Sequence, residues 1–125
     1  MRAAAFDSPG GPEVLHLMTL PDPVVAAGQV LVRVRAAGVQ PYDCAVRAGW
    51  LPAGVPPTLP RIPGNEFAGV VEDVGPGVDG VAKGAEVLGF GQLGAYAELL
   101  AVPADQVVAK PAPMPWAVAG GFSAG

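Results

Sequence analysis

The chain is poor in cysteine, histidine and positive charge, and each shortage removes a class of function. A single cysteine, Cys44, leaves no internal disulfide framework and fits a reducing compartment. The single histidine, His16, has neither a second histidine nor a cysteine pair with which to share a metal, so it reads as an ordinary strand residue. Only seven Lys and Arg stand against eleven Asp and Glu, and they form no patch; nucleic acid is not expected as a partner. Long apolar runs are missing as well. The stretch behind Met1 is too short for a signal peptide, and the longest charge-free segment, Pro111–Gly125, is broken by Pro113 and Pro115. No membrane span is expected, and the chain reads as cytoplasmic.

What the sequence does have is glycine and proline, eighteen and fifteen, about a quarter of its 125 residues. That share touches the level at which disorder is suspected. Against it stand 51% hydrophobic and only 14% charged residues, the composition of a folded domain with a core. Many short strands joined by turns satisfy both numbers.

Read in order, Arg2–Phe6 is a short strand, stopped by the turn formers Asp7 to Pro12. Glu13–Leu20 is expected as a second strand with Val14, His16, Met18 and Leu20 on one face. Gln29–Val39 carries the clearest pattern, Val30, Val32 and Val34 alternating with Leu31, Arg33 and Arg35, the period of a half-buried strand. Pro41–Ala48 reads as a helix, with Pro41 suited to its first position and Gly49 to its stop, followed by a proline-rich loop from Trp50 to Pro60. Ile62–Gly75 is a loop feeding a buried strand, with Asn65 and Glu66 at the strand's entrance; Ala85–Phe90, Ala95–Val102 and Gln106–Ala109 are three further strands. The expected architecture is mainly β, a small, partly open barrel with one or two short helices. Residues 1–110 form that domain, and 111–125 start a crossover away from it.

Three glycine motifs invite a different reading. Gly75-Pro76-Gly77-Val78-Asp79-Gly80 fits the dinucleotide pattern but leads to a strand, not a helix, and reads as a turn. Gly89-Phe90-Gly91-Gln92-Leu93-Gly94 fits it too, without a βαβ unit around it. Gly121-Phe122-Ser123-Ala124-Gly125 has the spacing of a nucleophile elbow, yet the one histidine is His16 and no helix follows.

The stretch Ile62-Pro63-Gly64-Asn65-Glu66-Phe67-Ala68-Gly69 resembles the Gly-His-Glu segment of medium-chain alcohol dehydrogenases, and more closely that of the zinc-free quinone oxidoreductase branch of the medium-chain dehydrogenase/reductase superfamily. Gly11-Pro12-Glu13-Val14-Leu15, Gly28-Gln29-Val30-Leu31-Val32-Arg33-Val34, Ala37-Gly38-Val39-Gln40-Pro41-Tyr42-Asp43, Val74-Gly75-Pro76-Gly77-Val78, Gly84-Ala85-Glu86-Val87 and Gly94-Ala95-Tyr96-Ala97-Glu98 continue the likeness in the family's order. The resemblance implies a GroES-like barrel, the substrate-side domain of those enzymes. The zinc enzymes place a cysteine where Gln40 stands and a histidine where Asn65 stands, and they carry a four-cysteine lobe of which there is no trace between Val87 and Ala95; no zinc is therefore expected.

Family members continue into a Rossmann domain that binds NADPH, and this chain stops at Gly125, so alone it is expected to be inactive or nearly so. The implied chemistry is hydride transfer from NADPH to a quinone or to the β-carbon of an enone. By position, Gln40 would serve as a catalytic and cofactor-contacting amide, or only bond the local backbone at a helix start. Tyr42 would be a proton donor or a packed core residue, and Trp50 would wall the substrate mouth. Asp43 and Glu66 read as structural, with Arg47 and Arg61 as candidate ion partners. Implied partners are a small quinone or enone substrate and either further copies of the chain or a separate Rossmann-domain chain. The competing reading is a free-standing, non-enzymatic GroES-like barrel, an interaction module or a truncated remnant, which would bury its exposed face by association.

Overall fold

The computed structural model describes residues 1–123. Two nine-residue strands, β3 (Gln29–Ala37) and β4 (Glu66–Val74), run antiparallel through its centre. They belong to a five-stranded antiparallel sheet in the order β6-β3-β4-β5-β7, with β5 at Glu86–Phe90, β6 at Leu99–Pro103 and β7 at Val107–Ala109. A separate two-stranded sheet pairs β1 (Arg2–Ala5) with β2 (His16–Thr19). Among the described residues there are also two α-helices, α1 (Pro41–Arg47) and α2 (Trp116–Gly120), and two short 3-10 turns. The sheets do not close on each other, and the expected partly open, mainly β architecture is what forms.

The alternation in β3 sets the core. Val30 and Val32 are fully buried and Arg33 points to solvent, where it meets Glu72 of β4 at 2.7 Å. Irregular register between Leu31 and Val32 and between Val34 and Ala36 bends the strand, so that one face curls around Phe67, Val71, Val87, Leu100, Val102 and Val107. The small residues Ala36, Ala37 and Gly38 follow the bend. β1 reaches the larger sheet by a bridge between Ala3 and Ala97 and by hydrogen bonds from Ala4 N to Tyr96 O and Glu98 N to Arg2 O.

Two strand expectations are corrected. The segment Glu13–Leu20 becomes a strand only at His16, because Pro12–Val14 winds into a single 3-10 turn closed by Val14 N to Gly11 O and Leu15 N to Pro12 O. His16 is exposed there, its Nδ1 3.0 Å from Val14 O. The strand expected over Ala95–Val102 begins at Leu99. Gly94, Ala95 and Tyr96 give their N–H groups to Ile62, Gly64 and Pro63 instead of to a neighbouring strand. The glycine run from Gly75 to Gly80 is a turn between β4 and β5 with no helix after it. Residues 124 and 125, the end of the Gly121–Gly125 motif and of the 111–125 segment, lie outside the described residues.

The start of α2 is clasped by Lys110. Its buried Nζ donates to the carbonyls of Pro111, Ala112 and Met114 at 3.1, 3.4 and 2.8 Å and lies 4.8 Å from the Trp116 ring centroid, an arrangement that satisfies a desolvated ammonium.

Candidate functional site

The site grows from the two chain segments that leave β3 and enter β4 at the same end of the sheet. Gly38 N donates to Glu66 O at 3.1 Å, which holds these two segments side by side. Past Gly38 the chain turns into α1, with Gln40 at its N-cap in extended conformation and Pro41 in the first turn. Asp43, three residues on, accepts the Gln40 N–H on Oδ2 at 2.9 Å, the return half of a capping box.

Asp43 is 5% exposed, and Oδ2 takes a second donor, the Tyr96 hydroxyl, at 2.6 Å. Its Oδ1 has no hydrogen-bond partner among the described residues. Burial first, and then the Asp43 carboxylate, push the Tyr96 phenol well above its ordinary value, so it stays a neutral donor. The sign follows from linkage: a proton held more tightly in the folded chain adds stability in full below the unfolded tyrosine value, near 10, and that part is lost as pH rises past it. Tyr96→Phe is expected to cost about 1.5–3 kcal/mol, the worth of a hydrogen bond to a charged group. It should also remove part of the alkaline loss of stability, and urea titrations at pH 7 and 10.5 on both proteins check this. An equal alkaline loss in both would contradict it.

The Gln40 side chain reaches the other way. Its Nε2 donates to Glu66 Oε1 at 2.7 Å, and Glu66 is completely buried at the head of β4. Beside it, Asn65 is 8% exposed and accepts the Leu93 N–H on Oδ1 at 2.8 Å, steadying a loop in which Leu93 holds φ 68°. Gln40, Pro41, Tyr42, Asn65 and Leu93 line a cleft of about 760 Å3 together with Phe90 and the β6 residue Val102. Its lining holds amides, one phenol and apolar groups, with no charged side chain, a setting for a neutral, flat ligand.

Of the three residues singled out from the sequence, two meet here. Gln40 and Tyr42 line the cleft together, and Tyr42 also packs with Phe6, Val46 and Leu93. Trp50 does not line it; half exposed, it stands edge-on behind Tyr42, ring centroids 5.3 Å apart. The basic partners expected for the acids are engaged with backbone instead, Arg47 with Gly10 O and Arg61 with Pro56 O. Tyr96 was not foreseen. It lies 53 residues from Asp43, and no local pattern marks it.

The donor set does not suit a metal. Asn65 has committed its oxygen to Leu93 and Gln40 its nitrogen to Glu66, and amides are weak zinc ligands in any case. Among the described residues no group of three His, Cys, Asp or Glu is placed to hold an ion.

Comparison with known proteins places this geometry. Residues 26–112 match the family model described as the alcohol dehydrogenase GroES-like domain. The chain is 43% identical over 109 residues to the quinone oxidoreductase of Rattus norvegicus, covering 84% of this chain and 32% of that protein. The structure of Escherichia coli quinone oxidoreductase complexed with NADPH superposes with a TM-score of 0.87 at 32% identity, covering 96% of this chain and 36% of that one. Human synaptic vesicle membrane protein VAT-1 homolog-like protein superposes with a TM-score of 0.90 at 33% identity, covering 96% of this chain and 38% of that one. The chain thus spans about a third of the length of the curated relatives it matches.

Proposed function

We propose, from the premise that this chain belongs to the alcohol dehydrogenase GroES-like domain family, that it is the substrate-side part of an NADPH-dependent, zinc-independent reductase of quinones or conjugated enones. The observation that carries the reading is the convergence of Gln40, Tyr42 and Asn65 on one uncharged cleft, in a chain similar to quinone oxidoreductases. NADPH, when bound, would supply the hydride. This chain's own residues would do the rest. Gln40 faces the nicotinamide end through its amide, and Tyr42 offers a phenolic proton to the reduced oxygen. Trp50 backs Tyr42 and shapes the mouth from behind. Phe90 and Leu93 keep water from the reacting faces. No helix among the described residues is long and apolar enough to cross a membrane, and a lone cysteine suits a reducing, cytoplasmic setting.

The test is a graft. Joined in register to the remaining two thirds of a quinone oxidoreductase, the chain is expected to support NADPH oxidation by a simple quinone, while the chain alone supports none. In the grafted protein Tyr42→Phe is expected to lower kcat on the order of 10²-fold, the usual worth of a positioned proton donor. Gln40→Ala should lower kcat/KM about tenfold, one hydrogen bond. Unchanged rates in both variants would refute these roles, and turnover by the chain alone would refute the need for a cofactor domain.

A second reading, a non-catalytic interaction module, is favoured by the apolar Val118 and Phe122 at the α2 end, 53% and 59% exposed. It requires the chain to self-associate with rising concentration, which sedimentation velocity would reveal.

A further inference from the structure

We propose that the turn from 111 to 114, with the Glu86 carboxylate and the Trp116 ring, is a preformed receptor for a primary ammonium group, and that the chain fills it with its own Lys110. The occupied receptor is a lock. It sets the direction in which the chain leaves the sheet and seats α2 on the bend of β3. Nothing in this arrangement depends on what the cleft binds.

An ammonium has three N–H donors, and that of Lys110 meets three main-chain carbonyls, Met114 at 2.8 Å, Pro111 at 3.1 Å and Ala112 at 3.4 Å. Charge is balanced from the rim, where the half-exposed Glu86 carboxylate lies 3.3 Å away, and the face of Trp116 closes another side at 4.8 Å to the ring centroid. The lysine side chain is 3% exposed, so these groups stand in for water around the charge. The turn needs such a guest. Pro111, Pro113 and Pro115 have no N–H, and a segment so short of donors cannot satisfy its own carbonyls. The main chain of Lys110 is fixed independently, its N–H donating to Glu86 O at 2.9 Å just beyond the β5–β7 pairing. One residue thus belongs to the sheet through its backbone and to the departing turn through its ammonium. Past the turn, Ala119 of α2 is fully buried beside Ala68 and Leu88. A Cβ on Gly120 would stand 2.7 Å from Ala36 Cβ and 2.9 Å from its carbonyl carbon, so the helix lies directly on the bent end of β3. A helix of five residues cannot hold itself there by propensity, and the lock at its start holds it.

Lys110→Ala removes the guest and leaves room for n-propylammonium, which returns the missing stem and the ammonium. Amide hydrogen exchange reads the result. Ala119 N, bonded to Pro115 O at 2.9 Å, reports α2, and Val71 N, bonded to Ala85 O at 2.9 Å, reports the sheet. In Lys110→Ala the Ala119 amide is expected to exchange about ten- to a hundredfold faster than in the native chain, the worth of a hydrogen-bonded charge, with Val71 moving less. Lys110→Met, which keeps an apolar stem without the charge, should behave like Lys110→Ala. Adding n-propylammonium to Lys110→Ala is expected to restore most of the lost protection. Tetramethylammonium carries the charge without N–H donors, and 1-propanol carries the stem without the charge; neither should restore it. If Lys110→Ala does not fold alone, the same three solutes are compared for their power to restore the folded spectrum. Equal rescue by all three, or none by n-propylammonium, would overturn the proposal. So would native protection in Lys110→Met, where packing of the stem alone would suffice, or equal acceleration at Ala119 and Val71, which would make Lys110 a general stabiliser.

Discussion

Replacing Phe67 by alanine is expected to remove about 3–5 kcal/mol of stability, a large share of the roughly 5–15 kcal/mol that holds a native domain together. The ring is fully buried near the start of β4, opposite Ala37 on one neighbouring strand and Gly89 on the other. It fills a space that Gly89 leaves open. A Cβ on Gly89 would lie 2.9 Å from Phe67 Cζ and 2.3 Å from Gln106 O, so the ring rests on bare backbone where β5 meets β7. Backbone tied into three strands cannot move in to fill a void, which puts the cost at the high end for a large-to-small change. Urea unfolding should show a lower midpoint with an unchanged slope. A loss under about 1 kcal/mol would mean that the strands do close on the vacancy.

Gly38→Ala is the second large effect, and it strikes the site directly. The new methyl would meet Glu66 Oε1, Cδ and Cγ at 1.9, 2.4 and 2.5 Å. A flexible acid at the surface would swing aside, but this one is enclosed and already bonded to Gln40. The expected cost is about 1–3 kcal/mol of overpacking, with displacement of the Gln40 amide as well. A double-mutant cycle with Glu66→Ala distinguishes the clash from a general backbone effect. If the clash is the cause, Gly38→Ala should cost markedly less once Glu66 is gone. Strict additivity would place the strain elsewhere.

Much of this was legible in the residues. The alternation from Val30 to Arg35 gave β3 its buried face, and Pro41 with Gly49 bracketed α1 to within a residue at its end. Where the reading strayed, backbone hydrogen bonding won over side-chain propensity. Ala95 and Tyr96 look like strand, yet their N–H groups go to Gly64 and Pro63, a pairing that depends on a loop more than thirty residues earlier. Val14 fits a strand face but is wound into a 3-10 turn after Pro12. The Gln40–Glu66 and Asp43–Tyr96 pairs were beyond sequence reasoning for the same reason. Each joins segments far apart in the chain, and the acids sought basic partners by rule when neutral donors were what the fold brought to them.

The reach of β1 across to Ala97 also bears on how safely this protein can be kept at high concentration. A sheet that is not closed has two outer strands, and an unpaired outer strand is a template on which other chains can polymerise. Here β7 offers only three residues, too few to seed a lasting cross-chain ladder. At the other margin β6 ends in Pro103, which has no N–H to offer, and the chain leading into it is already bonded to Arg2, Ala3 and Ala4. The first strand of the chain therefore guards the sheet against aggregation as much as it builds the domain.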